Sequence, residues 1–161
     1  MECFNHLFVL SPGTIYNLRY ILRVFFPPPP SNVVVSVADV SYGPSEKFIW
    51  KKVIATGDVP SKRAGHSAIA VGSKIMVFGG KDSNGAYLGD SYLLNVDTFT
   101  WVRTTPKPPS QTCKARAYHT ACRFGNLVYI FGGSEEGGIP SFDTWTWNVG
   151  THVFLHDPIC V

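Results

Sequence analysis

The order of apolar and polar positions predicts short strands joined by turns. Two apolar stretches are separated only by Gly72-Ser73, a pair suited to a two-residue hairpin turn. A partly alternating stretch follows, and Asp97-Thr98 turns the chain into one more strand. No segment combines the helical spacing of apolar residues with the length of an amphipathic helix, so we predict an all-β protein. The four strands are expected at residues 66–71, 74–78, 90–96 and 100–104.

This block of strands occurs twice, at an offset of 53 residues. Residues 63–101 and 116–154 are identical at 13 of 39 positions. The recurring residues include Arg63, His66, Gly79, Gly80 and Asp90 in the first copy and Arg116, His119, Gly132, Gly133 and Asp143 in the second. A four-stranded sheet of this size cannot bury both of its faces alone. Repetition at a fixed offset therefore predicts blades of a β-propeller, which pack face to face.

The chain divides into four parts on this pattern. Residues 1–31 form an apolar segment outside the repeat that ends in Pro27–Pro30. We expect this proline tract to be a stiff linker, the alternative being a docking site for a proline-recognition module. Residues 32–54 are interpreted as the last strands of a partial blade, with Trp50 as the counterpart of Trp101. Residues 55–104 are predicted to be a complete blade, and residues 105–161 a second, nearly complete one.

The repeat resembles the kelch repeat. The features that carry this resemblance are a double glycine that ends the second strand, a downstream tyrosine and a tryptophan in the fourth strand. The first copy has all three, in Gly79-Gly80, Tyr92 and Trp101, whereas the second has Trp145 and Phe154 at the aromatic positions. The Arg-x-x-His motif that opens both copies is similar to the sequence found at this place in kelch proteins without a BTB domain. The resemblance implies a partial kelch-type β-propeller built of four-stranded antiparallel blades.

The number of blades is small for a propeller. Closure needs about four to eight blades, and the repeat accounts for roughly two and a half. An arc of this kind exposes the apolar faces of its end blades. We expect a fragment or a truncated gene product, or else closure by further blades or by a second copy of the chain.

The composition adds mainly negative expectations. The formal net charge of the 161 residues is +3, and the basic residues are spread along the chain, so we predict no nucleic-acid binding. The apolar stretch from Ile15 to Phe26 is too short to span a bilayer and contains Arg19 and Arg23, so we predict no membrane insertion and a cytoplasmic location.

The four cysteines contain no Cys-x-x-Cys pair, and they indicate neither a disulfide framework nor a zinc ribbon. Cys113, His119 and Cys122 could in principle contribute to a soft-metal site. However, His66 occupies the position equivalent to His119 with no cysteine nearby. We therefore predict no metal and no cofactor.

No common enzyme signature occurs in the sequence, whether a nucleophile elbow, HExxH, a P-loop or a dinucleotide fingerprint. Because His66 and His119 recur, a structural hydrogen bond explains them better than general-base catalysis. Asp90 and Asp143 recur as well, which fits a role in a turn or at the start of a strand. We assign no catalytic residue and expect that the chain is not an enzyme.

The kelch resemblance also implies where partners bind. In such proteins the loops between the second and third strands lie on the same face as the connections between blades, and this face usually binds partners. We therefore expect an interaction module or adaptor for a protein or peptide. The candidate partner-binding residues are Lys62, Arg63, Asp82, Asn84, Tyr87, Lys114, Arg116, Glu135 and Glu136.

Two alternatives stay open. Arg63 and Arg116 each offer a planar donor fork that suits a partner's carboxylate, or else they pair with backbone carbonyls or with Asp90 and Asp143 to hold the blades together. The alternative function is a fragment of a kelch-type enzyme or specifier protein that acts on a small molecule.

Overall fold

The computed structural model describes the strands Leu7–Leu10, Tyr20–Phe25 and Val34–Asp39, together with residues 49–105 and 112–157; side chains are described for residues 54–105 and 112–156. Thirteen strands lie within these ranges. They are β1 (Leu7–Leu10), β2 (Tyr20–Phe25), β3 (Val34–Asp39), β4 (Ile49–Ile54), β5 (Thr56–Gly57), β6 (Ser67–Val71), β7 (Lys74–Phe78), β8 (Ser91–Asn95), β9 (Thr100–Thr104), β10 (Thr120–Phe124), β11 (Leu127–Phe131), β12 (Thr144–Asn148) and β13 (Val153–Asp157).

The strands form three sheets, in the orders β1-β2-β3-β4, β5-β9-β8-β7-β6 and β10-β11-β12-β13. All neighbouring strands are antiparallel except β5 and β9. β6 lies beside both β1 and β10, so the first strands of the three four-stranded units are neighbours. A 3₁₀ turn at Glu136–Gly138 is the only helical element in the described ranges, and no helix there is long and apolar enough to cross a membrane. The predicted all-β fold of antiparallel sheets is confirmed.

The second sheet has the four predicted strands and one more. β5 adds to its outer edge, where the Thr56 amide donates to the Phe99 carbonyl at 3.0 Å and the Asp58 amide to the Trp101 carbonyl at 3.0 Å. A two-residue strand carries no periodic pattern, which is why the sequence did not reveal it.

The first sheet differs from the sequence interpretation. Residues 1–31 were placed outside the repeat, yet β1 and β2 lie in this segment; β1 pairs with β2 and β2 pairs with β3, so four strands stand where two were predicted. Phe25, the last residue of β2, lies one repeat before Phe78. Prolines rather than a double glycine follow it closely in the sequence, and the marker that identified the other copies is missing. The proline tract itself lies outside the described residues.

Equivalent positions of the repeat build the two apolar clusters. One cluster lies on one face of the second sheet, and the other fills the space between the second and third sheets. The members contributed by the same repeat positions are Ile75, Val77, Tyr92, Leu94 and Trp101 in the first cluster and Val128, Ile130, Trp145, Trp147 and Phe154 in the second.

The outer face of the third sheet has no such cover among the described residues. Phe131 is 47% exposed, whereas Phe78, its equivalent in the second sheet, is 1% exposed because the third sheet packs over it. Phe124 is also exposed. Phe124 and Phe131 therefore form an exposed apolar patch on this face.

The double glycine marks a close approach of neighbouring blades. Gly79 has φ +65°, and a Cβ atom on it would lie 2.6 Å from the Arg116 carbonyl oxygen. The next amide, of Gly80, donates to that same oxygen at 2.8 Å. Glycine is required here both by the left-handed backbone and by the passage of the adjacent blade's main chain.

Candidate interaction face

The sheets have two dissimilar ends. At one end, tight turns join β6 to β7 and β8 to β9, and the Val96 amide donates to the Ser73 carbonyl at 3.0 Å. We call this end the turn face. The other end, the loop face, consists of the connections at residues 58–66 and 112–119 and the loops at 79–90 and 132–143. All the candidate partner-binding residues predicted from the sequence lie on the loop face.

An ion pair between buried and half-buried side chains holds the loop face of the second sheet. Arg63 Nη1 donates to Asp90 Oδ1 at 2.6 Å and Nη2 to Oδ2 at 3.2 Å. Nη1 also donates to the Gly79 carbonyl at 3.0 Å. One guanidinium thus joins the connection before β6 to both ends of the loop between β7 and β8.

The third sheet repeats this arrangement. Arg116 donates from Nη1 to Asp143 Oδ1 at 2.5 Å, from Nη2 to Oδ2 at 3.0 Å, and from Nη1 to the Gly132 carbonyl at 3.0 Å. Its Nη2 also lies 3.5 Å from Glu135 Oε1. The bidentate geometry explains why arginine recurs, since lysine has no planar fork.

The same interactions set the pKa values of the two aspartates. Burial alone would raise the pKa of Asp143, but hydrogen bonds from Arg116, Ser141 and Trp145 outweigh burial and hold that pKa well below its ordinary value. For Asp90, burial again acts upward, but Arg63, the Tyr92 hydroxyl and a backbone hydrogen bond together lower the pKa below its ordinary value. Both carboxyl groups are therefore ionised in the folded protein near neutral pH.

The aromatic position two residues after each aspartate serves as a further donor. The Tyr92 hydroxyl donates to Asp90 Oδ2 at 2.9 Å, and the Trp145 indole Nε1–H donates to Asp143 Oδ2 at 2.6 Å. From the sequence, tryptophan in place of tyrosine was a departure from the kelch pattern. In the structure the two side chains have the same role, because each combines an apolar ring with one hydrogen-bond donor.

These contacts correct the placement of the two arginines. Arg63 and Arg116 are 2% and 0% exposed, and the carboxylate that each one binds is supplied by the chain itself. Neither guanidinium faces solvent, so neither offers a free fork to a partner. The pairing with Asp90 and Asp143 was the other interpretation, although each pair lies within one blade and does not connect two blades.

The polar contacts that connect the two blades come instead from the backbone and from His119. The Tyr118 amide donates to the Gly65 carbonyl at 2.7 Å, and the Arg116 amide to the Leu88 carbonyl at 3.1 Å. His119 Nε2 lies 2.7 Å from Ser67 Oγ and its ring meets Phe78 edge-on at 5.3 Å. His66, the equivalent residue, is buried as well. Such packing is what a structural histidine requires.

The other candidates differ in accessibility. Asn84, Lys114 and Glu136 are exposed, whereas Lys62, Asp82, Tyr87 and Glu135 are half-buried. Asp82 Oδ1 accepts the backbone amides of Asn84 and Ala86 at 2.8 and 2.9 Å, which shapes the loop tip. Lys114 Nζ lies 3.3 Å from Glu135 Oε2. The face therefore combines a fixed base with polar tips.

Sequence reasoning missed two residues of this face, Lys81 and Tyr118. Lys81 Nζ lies 4.2 Å from the centre of the Tyr87 ring and 5.8 Å from that of Tyr118. The signal was available in the repeat, since both positions carry a different residue in the other copy: Ser134 corresponds to Lys81, and Gly65 to Tyr118. Lys81 and Tyr118 are informative because they differ between the two copies, whereas the residues predicted to be structural are those that recur.

The cysteines considered for a metal site have separate environments. Cys113 is buried, and burial raises the pKa of its thiol to about 12, whereas Cys122 is exposed. Over the described part of the chain, no three His, Cys, Asp or Glu side chains form a group that could hold a metal ion.

Comparisons with known proteins agree with this architecture. A family model described as the KLHDC2/KLHL20/DRC7 Kelch-repeats domain matches residues 32–158. The chain is similar to Kelch domain-containing protein 2 of Bos taurus, with 32% identity over 112 residues, which is 69% of this chain and 27% of that protein. It is similar to Host cell factor 2 of Homo sapiens, with 33% identity over 86 residues, which is 52% of this chain and 11% of that protein.

A third relative is Kelch domain-containing protein 3 of Rattus norvegicus, which is 33% identical over 88 residues, covering 54% of this chain and 22% of that protein. The chain thus spans 27% or less of the length of these three relatives. The predicted kelch resemblance is confirmed. Since the family match covers most of the residues, the chain belongs to the KLHDC2/KLHL20/DRC7 Kelch-repeats domain family.

Proposed function

We propose that this chain is a protein-interaction module that binds a protein or peptide partner through its loop face. The observation that carries the proposal is the pair of loops at 79–90 and 132–143, each fixed at its base by a buried arginine and each differing in sequence at its tip. A rigid base with variable tips is the usual design of a recognition surface, because little order must be gained on binding.

The turn face supports this assignment by contrast. Its turns are short and similar in both units: Gly72-Ser73 corresponds to Gly125-Asn126, and Asn95 and Asn148 each accept backbone amides through Oδ1. Residues that recur in this way stabilise the backbone of the turns. Between residues 81 and 89 of the loop face, by contrast, only Gly85 has an identical counterpart in the next unit.

The kelch resemblance points the same way, since kelch repeats generally serve as interaction modules. A cytoplasmic location and the absence of nucleic-acid and membrane partners stay predictions from the sequence. Closure of the propeller by further blades or by a second copy stays a proposal as well, and the exposed apolar face of Phe124 and Phe131 is its basis.

An enzymatic or specifier function gains no support from the described residues. The recurring histidine of the third sheet contacts Ser67 across the blades, and the acidic side chains at the rim pair with arginine or shape a loop. These roles are all architectural, so we propose a binding function alone.

Site-specific photo-crosslinking tests the proposal. A photoreactive amino acid would replace Asn84 or Glu136 on the loop face, and Ser73 or Asn126 on the turn face, and extracts would be irradiated with each variant. All four positions are exposed, so their background reactivity is matched. We expect discrete adducts from the loop-face pair only. Equal adducts from the turn-face pair would contradict the proposal.

A further inference from the structure

We call Lys81, Tyr87 and Tyr118 the lysine–tyrosine cluster. Each of them differs from the residue at the equivalent position of the other unit, although the backbone at the two positions is equivalent. Isolated bridges join Ala64 to Lys81 and Lys81 to Tyr87, and one repeat later the same bridges join Ala117 to Ser134 and Ser134 to Pro140. The fold is thus formed equally well with serine and proline. Lys81 and Tyr87 are not needed to build the blade.

The backbone of Tyr118 has a conformation that is unfavourable for tyrosine. Its φ is +60°, in the left-handed region, whereas Gly65, the equivalent residue, has φ +66°. A tyrosine in this conformation is strained and glycine is not. The Tyr118 side chain is also 65% exposed, so burial of its ring offsets little of that strain. A strained residue with an exposed ring indicates a function outside the fold.

Gly65 leaves room for the tyrosine. A Cβ atom at this position would lie 2.8 Å from Cδ1 and Cε1 of Tyr118, so the ring lies directly over the glycine. The Tyr118 ring therefore lies at the junction of the two blades, with its centre 5.8 Å from Lys81 Nζ.

Lys81 is a cation with no carboxylate partner among the described residues. The ion pairs found there use Arg63, Lys114 and Arg116. The proximity of Tyr87, and to a smaller extent of Tyr118, raises the pKa of Lys81, so the ammonium stays charged. Its position over two aromatic rings orients it while leaving it able to bind an anion.

We propose that the lysine–tyrosine cluster binds the carboxylate of an aspartate or glutamate side chain in a protein partner. This inference rests on the proposed interaction function. The Lys81 ammonium supplies the opposite charge, and the Tyr87 and Tyr118 hydroxyl groups supply donors. A cationic ligand is disfavoured because Lys81 already occupies the region over the rings and would repel it.

The surroundings add an apolar requirement. The Tyr87 hydroxyl reaches the neighbouring loop, where a Cβ atom on Gly138 would lie 4.0 Å from it. Ile139 and Phe142 of that loop are both exposed. The partner segment is therefore expected to carry an apolar side chain close to its acidic one.

A peptide library provides the probe. Random peptides of about ten residues, a length typical of linear recognition segments, would be displayed with their C-termini fused to the carrier, so that every carboxylate comes from a side chain. The selected sequences should be enriched in an acidic residue next to an apolar one. No enrichment, or enrichment in basic residues, would overturn the inference.

The strongest binder would then be measured against variants that the repeat itself suggests. Lys81→Ser and Tyr118→Gly introduce the residues found at the equivalent positions, so both should fold. Each should weaken binding about tenfold or more, as expected for loss of a charged hydrogen bond. Lys74→Ser removes an exposed lysine from the turn face and is the matched control, with binding unchanged. Unchanged affinity in Lys81→Ser would also overturn the inference.

Tyr118→Gly carries an additional signature. It should raise the thermal midpoint while lowering affinity, because it removes strain and the binding ring together. A variant that loses stability instead would contradict the argument from strain. Crosslinking from Asn84 and Glu136 reports on the loop face whatever the ligand's charge, so failure of the acidic-ligand inference is distinguishable from failure of the interaction function.

Discussion

Arg116 and Asp143 form an ion pair whose two members differ in their access to water. The Arg116 side chain is fully buried, whereas that of Asp143 is 24% exposed. Loss of the aspartate would leave a buried cation with the Gly132 and Lys114 carbonyls and with two more distant partners, Ser141 Oγ and Glu135 Oε1. Loss of the arginine would leave a carboxylate that water and two other donors still reach.

We therefore predict that Asp143→Ala destabilises the chain more than Arg116→Met. The expected losses are about 3 kcal/mol for the former and about 1–2 kcal/mol for the latter. Urea unfolding followed by tryptophan fluorescence measures both, and the double variant gives the coupling energy. Equal losses would show that the difference in burial has no energetic effect.

The depressed pKa values of Asp90 and Asp143 predict sensitivity to acid. The pKa of each is lower in the folded chain than the value of about 3.9 in the unfolded one. As the pH falls through the range between the unfolded and folded pKa values, the unfolded state therefore binds more protons than the folded state. The stability that the ionised carboxylates provide at higher pH is lost in this range. The urea midpoint should be level from neutral pH to about pH 5 and then decline toward the folded pKa values.

The variant Asp143→Asn separates this effect from general acid unfolding. It should start from lower stability and decline less steeply with acid, because one of the two responsible carboxyl groups is absent. Asp90→Asn combined with it should flatten the profile further. A double variant with the wild-type slope would assign the acid sensitivity to other groups.

Gly79 should tolerate no side chain, and Gly72 provides the matched comparison. Both have positive φ, at +65° and +58°, but a Cβ atom on Gly72 meets nothing within 4 Å, whereas on Gly79 it lies 2.6 Å from the Arg116 carbonyl oxygen. We expect Gly72→Ala to cost about 1 kcal/mol from backbone strain alone. Gly79→Ala should cost about 3 kcal/mol or more, since two blades must move apart.

Thermal unfolding of the two alanine variants measures this difference. If they proved equally stable, the close approach of the third sheet to Gly79 would not be present in solution.

The two described cysteines should differ in reactivity. Cys122 is exposed, whereas Cys113 is buried with a thiol pKa of about 12. Because the thiolate is the reactive form, iodoacetamide at mildly alkaline pH should modify Cys122 first. Peptide mapping by mass spectrometry distinguishes the sites, and modification of Cys113 is expected only after addition of urea. Rapid modification of Cys113 in the native chain would contradict its burial.

The sequence was sufficient for the parts of the fold that repeat. Gly79 and Gly132 identified the blades because glycine at a crowded strand end has a physical cause, and the strand bounds followed from the turns. β1 and β2 were missed because their segment lacks that double glycine. The orientation of recurring side chains such as Arg63 was shown only by the structure, because a sequence does not show whether a guanidinium points toward the core or toward solvent.

The candidate site was predicted at the level of the face but not of the residues. The sequence identified Tyr87 as a loop residue. Its contact with Lys81 depends on an isolated β-bridge between these two residues, which no local sequence pattern indicates. Tyr118 was overlooked because it stands where the repeat has glycine, and its left-handed backbone is visible only in three dimensions.

The double glycine also bears on how such a chain can lengthen. The carbonyl that binds the Gly80 amide belongs to Arg116, the residue that opens the next unit, and Arg63 opens the unit before. A tandem gene duplication of residues 63–115 would place a second Arg63 carbonyl beside Gly80 and a second Gly80 beside Arg116. Since the contact between Gly80 and this carbonyl is thereby kept at each junction, duplication of a whole unit preserves it, whereas an insertion of another length would misalign it.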